Sequence, residues 1–189
     1  LMVVHSSFPA GLREGLSALC PELKMIEFDD ESLSGDFVAC PPETRIFSGT
    51  AMTLFTSGTT GLPKGVELSH EAYAANWKIF QSFLQLESDQ EVRVVLVNPL
   101  HHANSTSMAD WACKQPGAEL YLISQYGTKY WDALAAICDG YTGRVVAPLV
   151  ARHFEFLENL IEDGRIELSE KHRAALSKTE FLVGSAPVG

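Results

Sequence analysis

Short apolar runs alternate with stretches of helical spacing along the whole chain. Leu1 to Val4 predicts a short buried strand, and Leu12, Leu16 and Leu19 predict a helix over Pro9 to Leu19. Leu23 to Phe28 predicts a second strand, and the acidic stretch Asp29 to Thr44, with Ser34-Gly35 and Pro41-Pro42, reads as a surface connection. Met52 to Phe55 and Val66 to Leu68 read as strands on either side of a segment rich in Gly, Ser and Thr. Ser69 is placed to cap a helix reaching about Leu86, whose Tyr73, Trp77, Phe80 and Leu84 share one face. That aromatic stripe reads as core rather than ligand-binding surface.

Val92 to Val97, apolar but for Arg93, reads as a continuous buried strand. It delivers Asn98-Pro99-Leu100-His101-His102 to a strand terminus, where open α/β sheets place their ligands. A helix over Ser105 to Gln115, a strand over Glu119 to Ile123 and a helix over Tyr130 to Cys138 come next, the last with Trp131, Leu134 and Ile137 facing inward. Arg144 to Ala147 reads as a strand stopped by Pro148. An acidic helix over Val150 to Glu162 presents Glu155, Glu158, Glu162 and Asp163 as a solvated face. Ser169 caps a last helix to Leu176, and Phe181 to Val183 is the final strand. The alternation predicts an α/β fold with a mostly parallel β-sheet flanked by helices.

The formal charge of −10 argues against a nucleic-acid partner, because neutralising backbone phosphates takes clustered Lys and Arg. Any polyanion must therefore be held locally, by backbone amides and one or two lysines. Cys20, Cys40, Cys113 and Cys138 form no CxxC pair, so neither a zinc site nor a disulfide framework is expected. The expectation is a reduced, cytoplasmic, soluble protein without a membrane span. Taken alone, His101 and His102 fit a strand end with one exposed and one satisfied imidazole, or a pocket; no third ligand is spaced to make a metal site.

The segment Thr56-Ser57-Gly58-Thr59-Thr60-Gly61-Leu62-Pro63-Lys64-Gly65 carries the sharpest chemistry. Its glycines let backbone approach an oxyanion, and Gly58, Gly61 and Gly65 permit positive φ. Thr56, Ser57, Thr59 and Thr60 add hydroxyl donors, and Lys64 adds a point charge. A Walker-type loop needs Gly-Lys-Ser/Thr, whereas Pro63 precedes Lys64 here and Gly65 comes after it. The order instead resembles the Ser-Gly-Thr-Thr-Gly-x-Pro-Lys-Gly signature of the adenylate-forming superfamily, the AMP-forming acyl-CoA synthetases and their relatives.

Two further segments resemble that family. Pro99-Leu100-His101-His102 is similar to its Pro-Leu-x-His motif, which implies that His102 borders the acyl pocket, with Ser105, Met108, Ala109 and Trp111 toward its far end. Ala103-Asn104-Ser105-Thr106 stands where the family commonly has a Gly-containing stretch. Gly184-Ser185-Ala186-Pro187 looks like the Gly-Gly-Ala-Pro turn along bound adenine and acyl group, with Ser185 in place of the second Gly.

The resemblance implies part of the N-terminal domain of an acyl-CoA synthetase over residues 1–189, with Thr56, Ser57, Gly58, Thr59, Thr60, Gly61 and Lys64 on the ATP phosphates. It implies ATP, a carboxylic acid and coenzyme A as substrates, and Mg2+ as cofactor. The family's Tyr-Gly-x-Thr-Glu motif, whose Glu binds magnesium, does not occur in this sequence, nor does its C-terminal domain with the adenylation lysine. Both termini fall at apolar runs. The expectation is therefore a fragment of a ligase, inactive alone, with exposed strand edges that favour a homo-oligomer. The alternatives are a non-catalytic nucleotide-binding or assembly module and a fragment of a peptide-synthetase adenylation domain.

Overall fold

In the computed structural model, which describes residues 2–29, 49–56, 62–86 and 90–184, the alternation resolves into strands and helices in two units, 1–46 and 47–189. The acidic connection expected over 29–44 lies, beyond Asp29, outside the described residues.

The first unit is a βαβ element: β1 (Met2–His5), α1 (Ala10–Leu19) and β2 (Met25–Phe28), with β1 and β2 parallel. Arg13 of α1 pairs with Glu27 of β2.

The second unit begins with an antiparallel hairpin, β3 (Thr50–Thr56) and β4 (Lys64–Ser69), leading into α2 (His70–Phe83). Ser69 caps α2 as the sequence predicts, its Oγ accepting from Ala72 N at 3.1 Å. The face Tyr73, Trp77 and Phe80 is half-buried rather than sealed, and only Leu84 beyond the helix end is fully buried. Then come β5 (Val92–Leu96), α3 (Ala103–Lys114), β6 (Ala118–Leu122), α4 (Thr128–Cys138), β7 (Arg144–Val150), α5 (Ala151–Glu162), α6 (Glu170–Lys178) and β8 (Thr179–Gly184). The last four strands form one parallel sheet in the order β6-β5-β7-β8.

Apart from Arg93 and Arg144, the two central strands are apolar because both their faces are covered. Val92, Val94 and Leu96 of β5 and Val146 of β7 pack with Leu84, Leu86 and, from α3, Met108, Trp111 and Ala112. On the opposite face Val95, Val145, Ala147 and Leu149 pack with α4 (Tyr130, Trp131, Leu134), α5 (Leu157, Leu160) and α6 (Ala175). The period of two along each strand thus sorts consecutive residues into two apolar layers. Among the described residues, positive φ is confined to the turns after α4 and α5 at Gly140 (+68°) and Gly164 (+64°), where a left-handed residue ends each helix, to Gly49, and to Gln85 among non-glycines. The predicted acidic face of α5 is solvated, with Glu155, Glu158 and Glu162 exposed.

Pro148 does not stop its strand. It lies buried inside β7 and pairs in register with Leu182 of β8. A residue's N–H and C=O point to one side of a parallel strand, and the Pro148 carbonyl accepts from Asn98 Nδ2 at 3.0 Å on the β5 side. The missing N–H therefore faces β5, whose pairing with β7 ends at Val94–Val146, while the β8 ladder runs on to Val150–Gly184. Proline ends one ladder and not the strand.

The junction between β7 and α5 has its own lock. His153 Nδ1 accepts from Val150 N at 3.2 Å, the Tyr126 ring stacks on the imidazole at 4.2 Å, and Tyr126 Oη donates to the His153 carbonyl. Burial pushes the Tyr126 phenol up to about 12 and the His153 imidazole below its ordinary value.

This packing makes two outcomes testable. Leu134→Ala, at 1% exposure, is expected to cost about 2–5 kcal/mol, whereas Phe83→Ala, at 74% exposure, should stay within about 0.5 kcal/mol in urea denaturation. Equal losses at the two positions would contradict the layer assignment. For His153 the folded state disfavours the imidazolium. Its stability contribution is full above the unfolded value of about 6.5 and is lost as the pH falls toward and through the lower folded value. The urea midpoint should drop between about pH 7.5 and 5.5, and His153→Gln, which keeps an acceptor for Val150 N–H, should flatten that drop. An unchanged pH slope in the variant would refute the assignment.

Candidate nucleotide-binding site

The hairpin brings the two ends of the phosphate-loop sequence together. Thr56 and Lys64 are its last paired residues, with Thr56 Oγ1 donating to the Lys64 carbonyl at 3.4 Å. The Lys64 side chain is exposed and has no ion pair among the described residues, which leaves its ammonium available to an anion. Ser57, Gly58, Thr59, Thr60 and Gly61 lie outside the described residues. Gly65 corrects one expectation, since it has ordinary strand backbone rather than positive φ. Its role is close packing. It stands opposite Phe55, and a Cβ there would meet Thr53 Cγ2 at 3.1 Å and the Phe55 ring at 3.4 Å.

The second part of the site lies at the carboxyl edge of the parallel sheet. The chain leaves β5 toward β6 on one side and returns as β7 on the other, so the order reverses between β5 and β7. Crevices at such reversals are where open α/β sheets bind ligands. Asn98 to His102 continues from β5 at this edge. A turn closed by His102 N donating to Pro99 O at 3.0 Å sets up His102 as the N-cap of α3, which begins at Ala103, two residues before the predicted start. The His102 imidazole makes no capping bond. Thr106 holds the turn instead, donating to the carbonyls of Leu100 and of His102, the latter at 3.1 Å. Both imidazoles are exposed, their rings tilted by 36° with centroids 4.6 Å apart.

Behind His102, Met108 and Trp111 are committed to the apolar layer on β5, while Ala109 is half-buried. Ser105 is fully buried, and its hydroxyl has no hydrogen-bond partner among the described residues. Gly184 ends β8 opposite Val150 and is exposed at the same edge. Ser185, Ala186 and Pro187 lie outside the described residues. The structure thus brings Thr56 to Lys64 and, separately, His102 to the edge shared by Gly184; no described hydrogen bond or ion pair joins the hairpin mouth to that edge.

The Asn98–Pro148 bond and the Tyr126–His153 lock are not predicted from the sequence. The apolar Val150 before α5 gives no capping signal, and a cross-strand amide leaves no local pattern. Among the described residues no group of three His, Cys, Asp or Glu gathers to hold a metal ion, and no helix is long and apolar enough to cross a membrane.

Comparison with known proteins supplies the context. The mitochondrial medium-chain acyl-CoA ligase ACSF2 of Homo sapiens is 40% identical over 85 residues, which is 43% of this chain and 14% of that protein. The inhibitor-bound N-terminal domain of FACL13 from Mycobacterium tuberculosis superposes with a TM-score of 0.65 at 18% identity, over 97% of this chain and 50% of that one. A malonyl-CoA ligase in a ternary product complex with methylmalonyl-CoA and AMP gives a TM-score of 0.70 at 19% identity, over 98% of this chain and 35% of that one. The chain thus spans half or less of the proteins it matches, and at these identities the two structures share its fold. The model of one family, described as AMP-binding enzyme, covers residues 20–189, and the chain belongs to that family.

Proposed function

We propose that these residues form the ATP- and acyl-facing part of an ATP-dependent carboxylate–CoA ligase. The observation that carries this reading is the Thr56–Lys64 hairpin mouth, with a lysine that has no ion pair among the described residues, in a chain matched by the AMP-binding enzyme family. In the first step a carboxylate oxygen attacks the α-phosphorus of ATP, and the bond to the β-phosphate oxygen breaks to release pyrophosphate. In the second the coenzyme A sulfur attacks the acyl carbonyl, its proton leaves, and the carbon–oxygen bond to AMP breaks. Thr56, Ser57, Gly58, Thr59, Thr60, Gly61 and Lys64 bind the β- and γ-phosphates as negative charge moves onto the departing pyrophosphate. Their contribution is charge stabilisation and alignment. His102 borders the acyl group, and Gly184, Ser185, Ala186 and Pro187 run along adenine and acyl group.

The magnesium ion implied by the family finds no ligand cluster among the described residues. The positive charge this chain offers the phosphates comes from Lys64 and backbone amides. We further infer that the 189 residues do not complete the chemistry by themselves, because the sequence contains no Tyr-Gly-x-Thr-Glu segment. The three described cysteines are free, which supports a reducing compartment such as the cytoplasm.

The product of the longest open reading frame containing this sequence should release pyrophosphate with at least one member of a carboxylic acid panel. Lys64→Ala should slow that release on the order of 10²-fold. Absence of release with every acid, or a variant as fast as wild type, would sink the reading, and carboxylate-dependent ATP–pyrophosphate exchange by the purified 189-residue chain would overturn its incompleteness. The isolated chain should also self-associate, because β6 and β8 are outer strands carrying the exposed Leu122 and Val183. A clean monomer in sedimentation would count against this.

A further inference from the structure

We propose that Asn98 is a positioning residue that fixes the mouth of the crevice between β5 and β7. The proposal rests on the reading of this edge as the acyl side of the site.

The two strands pair only over Val92–Val94 and Arg144–Val146. Pro148 has no N–H to continue the ladder toward β5, so its buried carbonyl would be left without a partner on that side. Asn98 Nδ2 donates to it at 3.0 Å. This bond comes two residues after Leu96, beyond the last ladder bond on the other side of β5, from Ile123 N to Leu96 O at 2.7 Å. It is thus a clasp between the diverging ends of two strands that ligand entry would otherwise be free to spread.

Immediately after Asn98 the chain makes the turn Pro99–His102 that starts α3. Two residues beyond Pro148, β7 ends at Val150, paired with Gly184. One amide therefore sets the separation between the His102 turn and the β7–β8 end. An aspartate at 98 keeps the shape and turns the donor into an acceptor facing a carbonyl. A glutamine keeps the donor one methylene further out. Among the described residues no hydrogen bond joins Asn98 to the Thr56–Lys64 mouth or to the His102 ring, so a change here acts through the backbone.

Two measurements test this. In hydrogen exchange of the 189-residue chain, Asn98→Asp should speed exchange in peptides spanning 96–106 and 147–151 about tenfold, the size expected for one lost net hydrogen bond, with β3 and β4 unchanged. In the open-reading-frame product, Asn98→Asp and Asn98→Ala should raise KM for the carboxylic acid about five- to tenfold while KM for ATP and kcat stay within about twofold. Asn98→Gln should recover part of the loss. Unchanged local exchange overturns the clasp. Faster exchange with an unchanged KM for the acid, or equal changes in both KM values, overturns the positioning role and leaves Asn98 a stability residue. If the wild-type product turns over no acid, the ligase reading fails, and the exchange measurement still decides the clasp.

Discussion

The short ladder between β5 and β7 is the constraint on which the rest of the second unit depends. Three residue pairs, Val92–Val94 against Arg144–Val146, join the strand that begins the sheet to the strand that reverses its order. The amino edge of this ladder is clamped by guanidinium groups. Arg93 donates to Glu119 at 2.9 Å and to the Ile137 carbonyl at 2.6 Å while lying 3.8 Å from the centre of the Tyr141 ring. Arg144 binds both carboxylate oxygens of Glu180 at 2.7 and 2.5 Å, which holds that carboxyl below its usual range. The fork geometry of arginine gives such pairs directional stiffness. The carboxyl edge has one amide, Asn98, in the corresponding place. Arg93 and Arg144 thus tie the two central strands outward to β6 and β8 at the amino edge, while Asn98 ties β5 to β7 at the carboxyl edge.

The two edges also differ in how their polar groups are used. At the amino edge, Arg93, Glu119, Tyr121, Arg144 and Glu180 are all engaged with one another or with backbone. Tyr121 donates to Glu119 at 2.6 Å, and that bond, together with the smaller effect of Arg93, holds the Glu119 carboxyl low. At the opposite edge the His102 ring is released from capping by Thr106, and the Ser105 hydroxyl is buried without a partner among the described residues. Buried hydroxyls are normally hydrogen-bonded. Trp111 Nε1, Tyr130 Oη and Trp131 Nε1, in the apolar layers themselves, are likewise buried without a partner among the described residues.

Much of this architecture is legible in the sequence because two signals are local. Largely apolar runs in Val92 to Val97 and Arg144 to Ala147, each with a single arginine, announce strands covered on both faces, and Trp131, Leu134 and Ile137 announce the buried side of α4. The order of Gly, Ser, Thr, Pro and Lys from Thr56 to Gly65 points to the family without reference to packing. The illegible features depend on which neighbour lies on which side. Pro148 breaks a ladder only toward β5, so a rule written for one strand misplaces its effect. Gly65 reads as a source of backbone freedom, but it is small because Phe55 and Thr53 lie across from it. Tyr73, Trp77 and Phe80 share a face as predicted, yet Tyr73 interacts with Asp110 and Lys114 lies 3.7 Å from the Trp77 ring, so the stripe meets polar groups of α3 and stays half-buried.

On the proposed reading, a chain of net charge −10 that holds a polyanion must also solve an electrostatic problem. Long-range repulsion is screened within about 8 Å at physiological salt, so the glutamates of α5 matter little to a phosphate beyond that range. Attraction has to be short-ranged and directional. A hairpin mouth suits this better than a basic surface would, because Thr56 and Lys64 are fixed opposite each other by strand pairing and the lysine has no carboxylate to compete for it among the described residues.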